Sequence, residues 1–182
     1  MERHGLRLTL TAIAFCAGTT CLAAEVITAA SDDPAWGKAA DNKILAQALI
    51  NEALAGNPNL HTATLHAIAP GARGAKDYMP QGYFTMIAGN FNRIGKKDSP
   101  EDVEVATENK TTMFQKMGDL SKFEVLIPQK DASNHVIGAL ILVYKDFNYG
   151  DSEEKLYQQS VAIRDGFAKR LSSAADLFKP TR

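Results

Sequence analysis

Past residue 24 the sequence contains no cysteine, because its two, Cys16 and Cys21, both fall near the N-terminus. A chain that loses those residues has no disulfide, no thiolate nucleophile and no cysteine metal ligand. Charge of one sign is lacking too: 20 Lys and Arg face 21 Asp and Glu. The basic footprint of a nucleic-acid binder or of a membrane-surface protein is therefore missing. No apolar run after the N-terminal segment approaches the roughly 20 residues of a bilayer span. Absent as well are a Gly-x-Ser-x-Gly turn, a phosphate-cradling glycine loop and a His-Glu-x-x-His segment. The acidic pairs Asp32-Asp33 and Glu153-Glu154 stand at expected helix starts, where capping accounts for them. These absences predict a protein that is not an enzyme and carries no cofactor.

What remains is ordinary globular material. Of 182 residues, 45% are hydrophobic and 23% charged, which suits one packed domain. Arg3, His4 and Arg7 precede an apolar stretch from Leu8 to Ala17, followed by small residues, in the order of a secretory signal. The stretch is roughly half the length of a membrane helix. We expect residues 1–24 to be a signal peptide and 25–182 a single domain, periplasmic or secreted. Cleavage after Ala23 places Cys21 and Ala23 at the small-residue positions, whereas cleavage after Ala24 places Leu22 there. Phe15 and Thr20 occupy positions where a lipid-attachment signal uses Gly, Ala or Ser. Removal of residues 1–24 takes Glu2, Arg3 and Arg7, leaving 18 basic and 20 acidic residues.

Asp33-Pro34 reads as an N-cap with proline at the first helical position. Ile44, Leu45, Ala48, Leu49 and Ala53 continue that helix to Gly56-Asn57-Pro58. Thr62 to Ile68 and Gly82 to Asn90 read as strands separated by a loop from Gly71 to Gln81. In Lys97-Asp98-Ser99-Pro100-Glu101-Asp102, Ser99 caps, Pro100 sets the first turn and Asp102 stands at the third position, predicting a short helix to about Glu108. Thr111 to Gln115, Lys122 to Lys130 and Val136 to Phe147 read as three further strands joined by turns. A terminal helix, capped by Asp151 with Glu154 three residues on, carries Leu156, Ser160, Ile163, Phe167, Leu171, Ala174 and Phe178 on one stripe.

The last strand is apolar on both faces: Val136, Leu140, Leu142 and Tyr144 share one, and Ile137, Ala139, Ile141 and Val143 the other. It has to be covered twice. The two long helices supply one cover, and the short helix with the loop after Gly71 supplies the other, thinner one. A loosely covered sheet face is a natural place for a small-molecule cavity.

Two stretches resemble the Cache family of PAS-like extracytoplasmic sensors. Ile87-Ala-Gly-Asn-Phe-Asn-Arg-Ile-Gly-Lys-Lys-Asp-Ser-Pro-Glu-Asp102 is similar to that family's strand, Asn/Arg/Gly turn and acidic capped helix. Phe123-Glu-Val-Leu-Ile-Pro-Gln-Lys-Asp131 with Val136-Ile-Gly-Ala-Leu-Ile-Leu-Val-Tyr144 resembles its closing hairpin. The resemblance runs from about Asn42 to Phe147. It implies an α+β fold, a five-stranded antiparallel sheet in the order 2-1-5-4-3, with the long N- and C-terminal helices on one face and the short helix plus loops on the other. It also implies a sensor-like domain binding a small organic ligand beside the short helix. Cache domains usually lie between two membrane helices and feed an effector. This chain has neither, so a separate membrane receptor or sensor partner is expected, and a homodimer through the terminal helices is compatible.

The candidate ligand-binding residues are Arg93, Tyr83, Thr85, His66, Asn90 and Phe114. Arg93, with Asn90 and Asn92, offers a guanidinium fork to a carboxylate or phosphate, or else pairs with Asp98, Glu101 or Asp102 and holds the turn. Tyr83 and Thr85 share a strand face and offer hydroxyls, and Phe114 offers a flat wall. His66 shares a face with Thr62 and Thr64, whereas His61, five residues away, points to the opposite one and forms no metal pair with it. His135 belongs to a turn. Met79, Met86, Met113 and Met117 read as core filling rather than soft-metal ligands. The alternatives to a ligand-binding module are a haem- or metal-handling protein using His66, and an interaction module whose cavity is filled by its own side chains.

Overall fold

The computed structural model describes residues 36–69, 83–148 and 151–182. The expected signal peptide, the Asp33-Pro34 helix start, Met79 and the loop from Gly71 to Gln81 lie outside these residues. Five strands, β1 (Leu60–Ile68), β2 (Phe84–Gly89), β3 (Thr112–Gln115), β4 (Phe123–Lys130) and β5 (Val136–Tyr144), form one antiparallel sheet in the order β2-β1-β5-β4-β3. Helices α1 (Leu45–Gly56) and α3 (Glu153–Ala168) pack on one face and α2 (Pro100–Thr107) on the other. This is the expected α+β, PAS-like arrangement with the expected strand order.

β5 sits at the centre and buries both of its faces. Leu140, Leu142 and Tyr144 join Leu65, Phe123 and Ile127 in the large core under α1 and α3. Ala139 and Ile141 join Leu126, Val105 and Ala106 in a smaller cluster under α2. The buried Tyr144 hydroxyl and Ser160 Oγ of α3 lie 2.8 Å apart. Burial pushes the phenol up to about 12, an effect the Ser160 bond partly offsets. Ile137 departs from the simple alternation. A register shift opposite Gln129 and Lys130 lets it pack half-buried against the large core instead of the α2 side.

The ends of the chain differ from expectation. Residues 36–44 do not continue α1: a 3₁₀ turn, Ala39–Asp41, precedes extended residues, and α1 begins at Leu45 with Ile44 as N-cap. Tertiary bonds hold this segment open. Gly37 bridges Ile94, and the Asn42 amide donates to Ile87 O at 2.8 Å. Gln47 on α1 then both donates to Gly89 O (2.8 Å) and accepts from Gly89 N (3.1 Å), closing the free edge of β2 as a strand would.

At the other end Ser152, not Asp151, caps α3 by accepting from Lys155 N, while Asp151 accepts from Asn148 N. The terminal stripe is not one helix. α3 stops at Ala168, Ala132 N takes Leu171 O at 2.7 Å, and Leu177 and Phe178 reach the core from a 3₁₀ turn, Ala174–Phe178. Met113 and Met86 fill core as expected, but Met117, at the tip of the β3–β4 turn, is 88% exposed.

Gly138 of β5 determines how closely β1 can lie. A Cβ there would stand 2.2 Å from His66 O, a backbone atom that cannot move without shifting the strand. Gly138→Ala is expected to destabilise the protein by about 1–3 kcal/mol. Gly166→Ala in α3, where nothing lies within 4 Å of the added methyl, is expected to be neutral or stabilising by up to about 1 kcal/mol. Urea denaturation of the two variants checks both.

The buried Asp176 holds the 3₁₀ turn. It pairs with Lys179 at 2.6 Å and accepts from Ser172 Oγ and Ser172 N, each at 2.6 Å. These partners, Lys179 foremost, keep its carboxyl well below the usual range. A carboxyl depressed on folding stabilises fully above the ordinary carboxylate range and loses that contribution as pH falls toward the folded value. Asp176→Asn is therefore expected to melt lower than wild type at pH 7, with the gap closing between roughly pH 5 and 2. Melting curves across pH measure it.

Candidate functional site

The α2 side of the sheet holds a cavity of about 400 Å³, the size of a small-ligand site. Its floor is sheet: Thr62, Thr64 and His66 from β1, Ile141 and Val143 from β5, and Glu124 from β4. α2 covers Ala139 and Ile141 but not the whole face, so Val143 and the β1 hydroxyls are left to the cavity. The outer wall is the segment after β2. Lys96 N donates to Arg93 O (2.9 Å) to close a turn whose Gly95 has φ 93°, a conformation that favours glycine. The chain then runs back along β2, with Gly95 N to Met86 O (2.8 Å), Met86 N to Lys96 O (3.0 Å) and Asp98 N to Phe84 O (3.1 Å). It enters α2 through a capping box in which Ser99 and Asp102 bond each other reciprocally.

This return strand brings Asp98 to His66. Asp98 Oδ1 lies 2.7 Å from His66 Nδ1, and His66 Nε2 lies 2.8 Å from Thr64 Oγ1. An ionised carboxylate only accepts, so His66 Nδ1 carries a hydrogen toward Asp98. The Asp98 side chain is fully buried and that of His66 nearly so. The second carboxylate oxygen, Asp98 Oδ2, is buried with no hydrogen-bond partner. Asp102 lies close by: ligand atoms of His66, Asp98 and Asp102 fall within 4.8 Å of one another.

Cations surround the mouth. Lys116 pairs with Glu124 at 2.5 Å, and Lys122 pairs with Asp119 at 2.9 Å. Asp119, held by Ser121 first and Lys122 next, has its carboxyl lowered to about 2. Lys97 Nζ sits 4.6 Å from the Tyr83 ring centre, and the Arg93 guanidinium lies 5.8 Å from the Trp36 ring and 5.7 Å from Phe91. Lys96 is exposed and has no ion-pair partner among the described residues.

Of the six candidate residues, the cavity brings together His66 and Arg93. Tyr83 is 53% exposed and stands outside the lining, with its ring beside Lys97. Thr85 is wholly buried, because alternation along β2 turns Phe84 and Met86 to the cavity side and Thr85 away. Asn90 accepts from Ala63 N (3.3 Å) and donates to His61 O (3.0 Å), tying β1 to the end of β2. Phe114, 41% exposed on the edge strand β3, pairs with Glu124 but lies beyond the rim. His61, expected to face away, also contributes to the lining, beside the β1 register shift between Leu60 and Thr62. His135 belongs to the β4–β5 turn, where Asp131 accepts from Ser133 N and His135 N and lies 3.4 Å from the His135 ring. Burial of Asp131 is outweighed by these bonds, so its carboxyl is lowered.

Sequence reading missed Glu124, Lys116 and Lys122, and saw in Asp98 and Asp102 only turn and cap. One signal for Glu124 was present: a lone charge between Phe123 and Val125 on a strand puts a carboxylate on the α2 face.

No family model and no curated protein matches the chain. Among solved structures it is similar to a protein described as a GAF sensor from Burkholderia vietnamiensis, with a TM-score of 0.46, 14% identity, and coverage of 72% of this chain and 78% of that one. It is also similar to the Agobacterium tumefaciens repressor BlcR (TM-score 0.41, 12% identity, 70% and 67% covered). A third is the C-terminal domain of the E. coli transcriptional regulator KdgR (0.42, 14%, 72% and 96%). At these identities and TM-scores the likenesses decide nothing about function, and the PAS-like arrangement rests on the strand order itself.

His66→Ala leaves the buried Asp98 carboxylate without its imidazole partner. The expected loss is on the order of 3 kcal/mol. His66→Ala combined with Asp98→Ala is expected to cost clearly less than the two single changes added together, and a double-mutant cycle by urea denaturation measures it.

Proposed function

We propose that the chain is an exported, Cache-like sensor module, not an enzyme, that binds a small organic molecule bearing an anionic group and passes its bound state to a separate membrane partner. The observation that carries this reading is the cavity of about 400 Å³ with the Lys96 ammonium and the Arg93 guanidinium at its wall and the Thr62 and Thr64 side chains on its floor. Of the lining carboxylates, Glu124 is paired with Lys116, and Asp98 meets His66 through one of its two oxygens. Lys96, exposed and without an ion-pair partner among the described residues, is the cation that a carboxylate or phosphate ester complements there. Met86, Phe91, Ile141 and Val143 supply an apolar surface for the organic remainder. Export is supported by Arg3, His4 and Arg7 ahead of the Leu8 to Ala17 stretch.

Thermal melts of metal-free protein against a panel of carboxylic acids, phosphate esters, amino acids and purines test the reading. A fitting anion at about one hundred times its dissociation constant is expected to add about 2.7 kcal/mol of stability. Lys96→Glu is expected to weaken that ligand at least about tenfold while melting like wild type. A panel without a single shift overturns the proposal.

A further inference from the structure

We propose that His66, Asp98 and Asp102 form a binding site for one transition-metal dication, of the Zn²⁺ class, at the inner end of the cavity. This goes beyond the anion reading and stands independently of it. Three observations carry it. One imidazole and two carboxylates from three separate elements, β1, the return strand and α2, bring ligand atoms within 4.8 Å of one another. Bonds of about 2.0–2.2 Å to such ligands place them roughly 3 Å apart, so rotations of about an ångström gather them. The Asp98 side chain is fully buried, yet its Oδ2 has no hydrogen-bond partner. A desolvated carboxylate oxygen left bare is costly, and a dication at this position satisfies it. The pairing of His66 with Asp98 at 2.7 Å also fixes the orientation of the ring before any ion arrives.

The donor set selects the metal. An imidazole nitrogen with two carboxylate oxygens suits Zn²⁺ and its neighbours better than Ca²⁺ or Mg²⁺, which prefer oxygen alone. Three protein ligands leave a coordination position open toward the cavity. When the cation takes His66 Nδ1, the neutral ring carries its one hydrogen on Nε2 instead, where Thr64 Oγ1 at 2.8 Å accepts it. The lysines nearby oppose a cation less than their number suggests, because Lys116 and Lys122 are paired with Glu124 and Asp119.

The test uses full-length mature protein, freed of metal by a chelator and carrying no affinity tag. Titration calorimetry with ZnCl₂ alone is expected to show one ion per chain, with CaCl₂ and MgCl₂ far weaker. Asp98→Asn and Asp102→Asn are each expected to weaken Zn²⁺ at least about tenfold, and His135→Gln, at the exposed His135–Asp131 pair, to change nothing. Because changes at the buried pair lower stability, Co²⁺ absorbance of the wild type gives a second readout: nitrogen and oxygen ligation without sulfur, displaced by Zn²⁺. Absence of Zn²⁺ binding overturns the site, as does binding that survives Asp102→Asn in folded protein or disappears in His135→Gln. Anion binding is scored on metal-free protein, so failure of either proposal leaves the other readable.

Discussion

β5 is apolar on both faces, and a strand of that kind is stable only when each face is removed from water. The rest of the domain is arranged around that demand. Leu140, Leu142 and Tyr144 draw α1 and α3 onto one side, where two helices give a deep core. Ala139, Ile141 and Val143 require a cover on the other, and there the described residues supply one helix of 8 residues. A helix that short shields part of a five-stranded sheet and leaves the remainder as a concave wall. The cavity is thus the consequence of unequal covers on a strand that needed two.

What turns this wall into a chemical site is the segment between β2 and α2. Its turn at Gly95 folds the chain back along β2, and its ladder to Phe84 and Met86 fixes where Asp98 emerges. The carboxylate then reaches His66 on β1 and is buried there. A buried charge is tolerated only with a partner, so the pair and the path of the backbone depend on each other. The same path carries Arg93 and Lys96 to the cavity wall, which gives one short segment both the basic rim and half of the buried acidic cluster.

Legibility followed the range of the interactions. The capping box at Ser99 and Asp102, the double-faced β5 and the grouping of Thr62, Thr64 and His66 are local patterns, and each is present in the structure. Positions that depended on distant partners were read less well. The helix expected from Pro34 is extended from residue 42 to Ile44, because Asn42 and Gln47 serve the edge of β2 instead. The terminal stripe breaks after Ala168, because Leu171 and Asp176 find partners off the helix. Thr85 was placed with Tyr83 at the cavity, yet β2 turns it inward.

By itself the sequence determined the five strands and their order along the chain, the short capped helix, the strand that had to be central and the side left thinly covered. Apolar periodicity and capping chemistry act over a few residues and are written into neighbouring letters. Only tertiary structure decided which charges meet: Asp98 with His66, Lys116 with Glu124, and Asp102 beside both members of the buried pair. Residues 32 positions apart become partners through strand register and the reach of one turn. Both are set by packing across the whole sheet, which no local pattern encodes.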